Sequence, residues 1–199
     1  MADPLPLRLK QVLSEKIADS IRSPLPQLTP RRVFGAVQLT GKATAVVGMR
    51  RAGKTTYLHQ LRGEKAASGQ DREQLPYLNF EDERLAGLPA GHLGAIVEEY
   101  ERRFPDASER SSVTWCFDEI QLVPGWERFV RRLLDTGGTE IFVTGSSAAL
   151  LSREIATALR ARAWEVLLHP FSFEEALRHQ GHEIPAEPEF LGSRERSRI

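Results

Sequence analysis

Cysteine is almost missing: Cys116 is the only one in 199 residues, which excludes an internal disulfide. Net charge is missing too, because 27 Lys and Arg face 27 Asp and Glu, and a neutral chain advertises no polyanionic partner. No apolar run approaches the roughly 20 residues that a membrane-spanning helix needs. The N-terminus "MADPLPLRLKQ" also lacks the charged-then-apolar layout of a signal peptide. A guanine-reading N-K-x-D stretch, an internal repeat, a low-complexity tract and a nucleic-acid reading motif are absent as well. These absences predict a cytoplasmic chain with no membrane partner and no evident nucleic-acid partner. The length suffices for one domain with a real core. Cys116, set in an apolar run, reads there as a small buried hydrophobe.

Residues 1–30 read as an appendage. Leu9, Val12, Leu13, Ile17 and Ile21 fall near helical spacing, enough for one amphipathic helix that must dock on something. "PLPQLTP" then places three prolines in seven residues, a linker that cannot continue the helix. A short helix is expected over 31–39. From there strand and helix signals alternate. "ATAVV" (43–47) is a buried strand, and "KTTYLHQLRG" (54–63) a helix with Tyr57, Leu58 and Leu61 inward and Gly63 as its stop. "LPYLNF" (75–80) is a strand and "LGAIVEEYERRF" (93–104) a helix closed by Pro105. "SVTWCFDE" (112–119) is a strand, followed by the helix "GWERFVRRLLDTGG" (125–138) with Trp126, Phe129, Val130, Leu133 and Leu134 on one face. A strand (140–147), a helix (149–162) and a strand (163–170) complete the series. Strand and helix in turn imply a parallel sheet covered on both faces, since parallel strands need crossover connections.

"GMRRAGKTT" (48–56) fits G-x-x-x-x-G-K-[ST] and lies between a strand and a helix. In that setting backbone N–H groups and the positive helix end converge on one anion. Gly48, Met49, Arg50, Arg51, Ala52, Gly53, Lys54, Thr55 and Thr56 therefore form a candidate cradle for the phosphates of a nucleotide. Gly48 would permit the sharp turn, and Gly53 a close approach of backbone to phosphate. Lys54 would reach the β- and γ-phosphates, and the Thr55 hydroxyl would be a ligand of Mg²⁺. The side chains of Arg50 and Arg51 occupy variable positions and are expected to point away from the phosphates.

"FDE" ends an apolar strand in two carboxylates, which desolvate badly unless something positive sits beside them. Asp118 would hold the metal's water shell, and Glu119, pointing the other way by strand alternation, would polarise an attacking water. In "VTGSS", Ser146 is chosen over Thr144 and Ser147 as a hydroxyl near the γ-phosphate, though a helix-capping serine serves equally well. "LRAR" puts Arg160 and Arg162 before the fifth strand. One of them would act as an arginine finger in its own subunit or a neighbour's, with solvated helix-end arginines as the alternative. Arg131 and Arg132 read as solvent-facing, and Glu81 and Asp82 as a surface loop more than as nucleotide contacts. His179 and His182 have metal-ligand spacing without a third ligand.

With these segments in order, the chain resembles AAA+-type P-loop ATPases of a prokaryotic group whose ATPase core precedes a C-terminal nuclease-like domain. The resemblance rests on "GMRRAGKTT", "YLNFEDERL", "FDEIQLVPGWERFVRRLLD", "VTGSSAALLSREIATALRAR" and "HPFSFEEAL", and covers about 31–177. It implies a three-layer α/β parallel-sheet P-loop NTPase of the AAA+/ASCE-like kind, with about five strands, an N-terminal helix and an incomplete C-terminal helical lid. On this division 1–30 is the helix and linker, 31–169 the ATPase core and 170–199 the start of a truncated lid, so that a fragment of a longer protein is expected. Lys54 and Thr55 fall in the Walker A motif, Asp118 and Glu119 in Walker B, and Ser146 at the sensor position. Arg160 and Arg162 fall in an "LRGR" element that here reads "LRAR", with Ala161 where glycine is usual.

The leading expectation is an ATPase that uses ATP and Mg²⁺, with Glu119 activating water. A small-molecule kinase would have no need of a glutamate beside the metal aspartate. The competing class is a nucleotide-gated binding module with negligible hydrolysis. A homo-oligomer is open, since either arginine can serve a neighbouring subunit.

Overall fold

Five uncharged residues, Ala43–Val47, form strand β1, and every one of them is buried. Burial on both faces suits the interior of a parallel sheet, and β1 lies in one of order β2-β3-β4-β1-β5. The other strands are β2 Tyr77–Asn79, β3 Val113–Asp118, β4 Thr139–Thr144 and β5 Ala163–Leu167. Each pairing is parallel. The computed structural model describes residues 4–33, 39, 41–109, 112–145, 159 and 162–182.

The described α-helices are α1 Leu7–Arg22, α2 Lys54–Ala67, α3 Gly94–Arg103, α4 Pro105–Glu109, α5 Trp126–Asp135 and α6 Phe173–His179. Strand alternation divides the core. Ala45, Val47, Trp115, Phe117, Ile141 and Val143 pack with residues of α1, α3 and α5, whereas Val46, Cys116 and Phe142 join Tyr57 and Leu58 of α2. Two cores on two faces make three layers, the expected architecture. Cys116 is the buried hydrophobe expected, and burial pushes its thiol up to about 12.

The predicted apolar stripe of α5 is buried at all five positions. α1 buries Val12, Leu13, Ile17, Ala18 and Ile21 and packs on α3 and β2. Its last carbonyls find donors outside the helix: Arg62 donates to Ser20, and Arg72 donates to Ile21 and Ser23, each at 2.9 Å.

Three local expectations are corrected. α2 runs through Gly63 to Ala67, because the left-handed residue that follows its end is Gly69, at φ 100°. Pro105 closes α3 and also opens α4, a first-turn position where its missing N–H costs nothing. The helix expected over 31–39 does not begin at its expected start, since residues 31–33 are not helical, and 34–38 lie outside the described residues. Gln60 of α2 takes both backbone groups of Arg31 instead, accepting from its N–H at 2.7 Å and donating to its carbonyl at 3.0 Å. The helix expected over 149–162 lies outside the described residues, apart from buried Leu159 and exposed Arg162.

Candidate nucleotide site

The loop between β1 and α2 is shaped at its two glycines. Gly53 precedes α2 at φ 92°, a left-handed conformation that a side chain would strain. Gly48 is needed for a different reason than a turn, since a Cβ there would sit 2.4 Å from the Leu168 carbonyl oxygen. Gly53, the N-cap residue of α2, has no side chain with which to cap it, and first-turn N–H groups of a helix are a natural anion site. Lys54 is only 5% exposed, and its ammonium donates to the carbonyls of Gly48 (3.2 Å) and Met49 (3.1 Å). Ala52 is buried and Thr56 half-buried, whereas Met49, Arg50, Arg51 and Thr55 are exposed. Arg51 is left-handed at φ 64°.

The acidic pair reaches the same edge of the sheet. Residues Asn79, Asp118, Thr144, Val46 and Val166 continue a row across all five strands that is registered at Leu78, Phe117, Val143, Ala45 and Glu165. β4 separates β1 from β3, which places the loop and the acids about 10 Å apart in the sheet. Asp118 is fully buried. One of its oxygens accepts from the Thr144 hydroxyl and the other from the Tyr77 phenol at 2.8 Å. Burial, then the charge of Asp118, push the Tyr77 phenol far above its ordinary range, which keeps it a donor. No cation among the described residues forms an ion pair with Asp118. Among the described residues this buried carboxylate is served by two hydroxyls and no cation, an oxygen environment of the kind a hard cation such as Mg²⁺ takes.

Glu119 departs from simple strand alternation. β3 stops at Asp118, and Glu119 turns left-handed at φ 53°. Its N–H donates to Thr144 Oγ1 at 3.0 Å and its carboxylate accepts from Gln121 Nε2 at 2.6 Å. A non-glycine residue held in that region costs about 1–2 kcal/mol, and Thr144, together with the Leu122 N–H on the Glu119 carbonyl, holds it. Thr144, passed over in favour of Ser146, thus touches both acids. Ser146 and Arg160 lie outside the described residues.

Arg162 precedes β5 while Lys54 follows β1, its parallel neighbour. Strands of this length put the two at opposite edges of the sheet, about 15 Å apart, and Arg162 pairs with Asp135. Asp82 caps a turn by accepting from the Arg84 N–H and pairs with Lys16 and Arg84. His179 Nδ1 meets the Thr29 hydroxyl at 2.9 Å, and no metal-holding cluster occurs among the described residues.

The residues missed in the sequence are Arg31 and Glu175. Arg31 is 6% exposed and Glu175 5%. The Arg31 guanidinium spans from Glu175 Oε1 (3.1 Å) to the carbonyls of Ala52 and His169 (2.6 Å each). Burial raises the Glu175 pKa, but hydrogen bonds from the Ser172 and Arg32 N–H groups and from Arg31 outweigh it and hold the carboxyl at about 2. Ser172-x-x-Glu175 is a capping box for α6, and that S-x-x-E spacing is the signal that finds Glu175 in the sequence.

A family model described as an AAA domain matches residues 40–177. The chain belongs to the AAA domain family. Membership supports a nucleotide-binding, ATPase-type function for this AAA domain. Among curated proteins it is 33% identical over 175 residues to an uncharacterized protein of Methanocaldococcus jannaschii, covering 88% of this chain and 37% of that one. It is also 36% identical over 133 residues to an uncharacterized protein of Haemophilus influenzae, covering 66% and 32%. The AAA domain chain thus spans 37% and 32% of the lengths of these two relatives. A solved structure of C. elegans PCH-2 aligns with a TM-score of 0.46 at 15% identity, covering 94% of this chain and 47% of that one. Among the described residues no helix is long and apolar enough to cross a membrane.

Proposed function

We propose that the chain binds ATP with Mg²⁺ at residues 48–56 and hydrolyses it to ADP and phosphate. The observation that carries this reading is the meeting, at one sheet edge, of a glycine-shaped loop bearing buried Lys54 with a fully buried Asp118 fixed by Thr144. Backbone N–H groups of the loop and the Lys54 ammonium hold the phosphates, and Asp118 with Thr55 would hold the metal. Bound Mg²⁺ would neutralise charge on the phosphates. Glu119, at the left-handed bend just past the end of β3, takes the proton of the attacking water. Arg162 faces the edge opposite its own loop, so in this reading it serves only across a subunit boundary.

A nucleotide-gated switch with slow hydrolysis has one observation in its favour: Gln121 already engages the Glu119 carboxylate at 2.6 Å. Equilibrium titration with MgATP tests the shared part of both readings. The wild-type chain is expected to bind and Lys54→Ala to lose binding; equal affinities would remove the cradle.

A further inference from the structure

We infer that Arg31 is a positioning residue that sets the phosphate loop and ties its state to both flanking segments, an inference that rests on the nucleotide reading above. Its guanidinium is buried against four groups from three parts of the chain: the Ala52 carbonyl in the loop, the His169 carbonyl after β5, the Glu175 carboxylate of α6 and the Phe171 ring, 4.8 Å from its centroid. Its own backbone is pinned at both ends by Gln60, so the side chain projects from a fixed root on α2.

The contact with Ala52 has a direct consequence for the loop. A trans peptide is planar, so its C=O and N–H point in opposite directions. Holding the Ala52 carbonyl at 2.6 Å therefore aims the Gly53 N–H away from Arg31, toward the side where a phosphate enters. The guanidinium also lies so close to Gly53 that a Cβ would fall 2.9 Å from Nη1, and any rotation of that peptide must displace Arg31.

The same guanidinium reads out to the C-terminal side. Leu168 bonds β1 through its N–H, at 2.7 Å from the Val47 carbonyl oxygen, and its own carbonyl covers Gly48. His169 is held by Arg31, and Glu175 accepts from Arg31 Nε and the Arg32 N–H. Both ends of the loop thus abut the segment that leads into α6. A nucleotide that shifts the Ala52–Gly53 peptide moves Arg31, and Arg31 moves 169–175 and the N-terminal linker together.

The test combines MgATP titration with amide hydrogen exchange on the 199-residue chain, using wild type, Arg31→Gln, Arg31→Lys, Glu175→Gln and Lys54→Ala. Loss of a charged hydrogen bond to the loop predicts about ten- to hundredfold weaker ATP binding in Arg31→Gln. Arg31→Lys, which keeps the charge but lacks the planar fork that serves Ala52, His169 and Glu175 together, recovers only part of it. Glu175→Gln leaves the Ala52 contact and changes affinity less than either. At saturating MgATP the loop amides of Arg31→Gln are protected as in wild type, but nucleotide-dependent protection at 169–177 is lost, which a general loss of stability does not produce. Wild-type binding with unchanged affinity and unchanged 169–177 protection in Arg31→Gln overturns the positioning role alone. Failure of wild type to bind, or full binding by Lys54→Ala, overturns the nucleotide site and the inference with it.

Discussion

The hydroxyl of Thr144, at the end of β4, donates to the Asp118 carboxylate at the end of β3 and accepts the N–H of the next residue, Glu119, at 3.0 Å. One small side chain on the intervening strand therefore orients a buried acid and stabilises the left-handed bend beside it. Asp118 owes its second donor to Tyr77 of β2, so three strands converge on one carboxylate.

Thr144→Val keeps the shape of this side chain and deletes its hydrogen bonds. Stability is expected to fall by about 1–3 kcal/mol in urea unfolding, since a buried acceptor and N–H lose their partner. Phosphate release is expected to fall about 10–100-fold, as for other groups that orient a metal ligand. Thr144→Ser restores most of both.

Two glycines predict opposite outcomes for the same change. Gly48→Ala must displace the Leu168 carbonyl, 2.4 Å from the new Cβ, and is expected to destabilise by about 1–3 kcal/mol. Gly63→Ala meets nothing nearer than Leu25 Cδ1 at 3.8 Å in the interior of α2, and is expected to stabilise by about 0.5–1 kcal/mol. Urea midpoints of the two variants check both signs.

Glu175 makes stability depend on acidity. Its carboxyl is depressed from 4.5 to about 2 in the folded chain, so the unfolded chain binds the proton more readily. The stabilisation is therefore complete above about 4.5 and is lost as pH falls toward about 2. Unfolding free energies of wild type between about pH 5.5 and about pH 3.5, roughly one unit to either side of the unfolded carboxyl, are expected to fall more steeply than those of Glu175→Gln. Parallel slopes would show that Glu175 carries no such role.

Much of this was legible in the sequence because its signals were local. The apolar run of β1, the five-residue stripe of α5 and the spacing of Gly48, Gly53 and Lys54 each specify an element without reference to the rest of the chain. The strand that carries Asp118 was legible for the same reason. What was not legible depends on long-range partners. Arg31 is separated from Glu175 by 144 residues, and the Gln60 side chain takes its backbone groups where a helix was expected to start. Thr144 and Ser146 are equivalent as hydroxyls in "VTGSS", and only the register of β4 beside β3 brings Thr144 onto the acids. Glu119 alternates away from Asp118 on paper, but the strand ends one residue earlier.

Phosphate release at saturating MgATP, compared between wild type and Glu119→Gln, bears most directly on the proposed activity. The expected result is turnover by wild type and a fall of about 100-fold or more in Glu119→Gln, with ATP affinity retained in titration. Equal rates in the two proteins, or no release by a wild-type chain that binds MgATP, would contradict hydrolysis through Glu119.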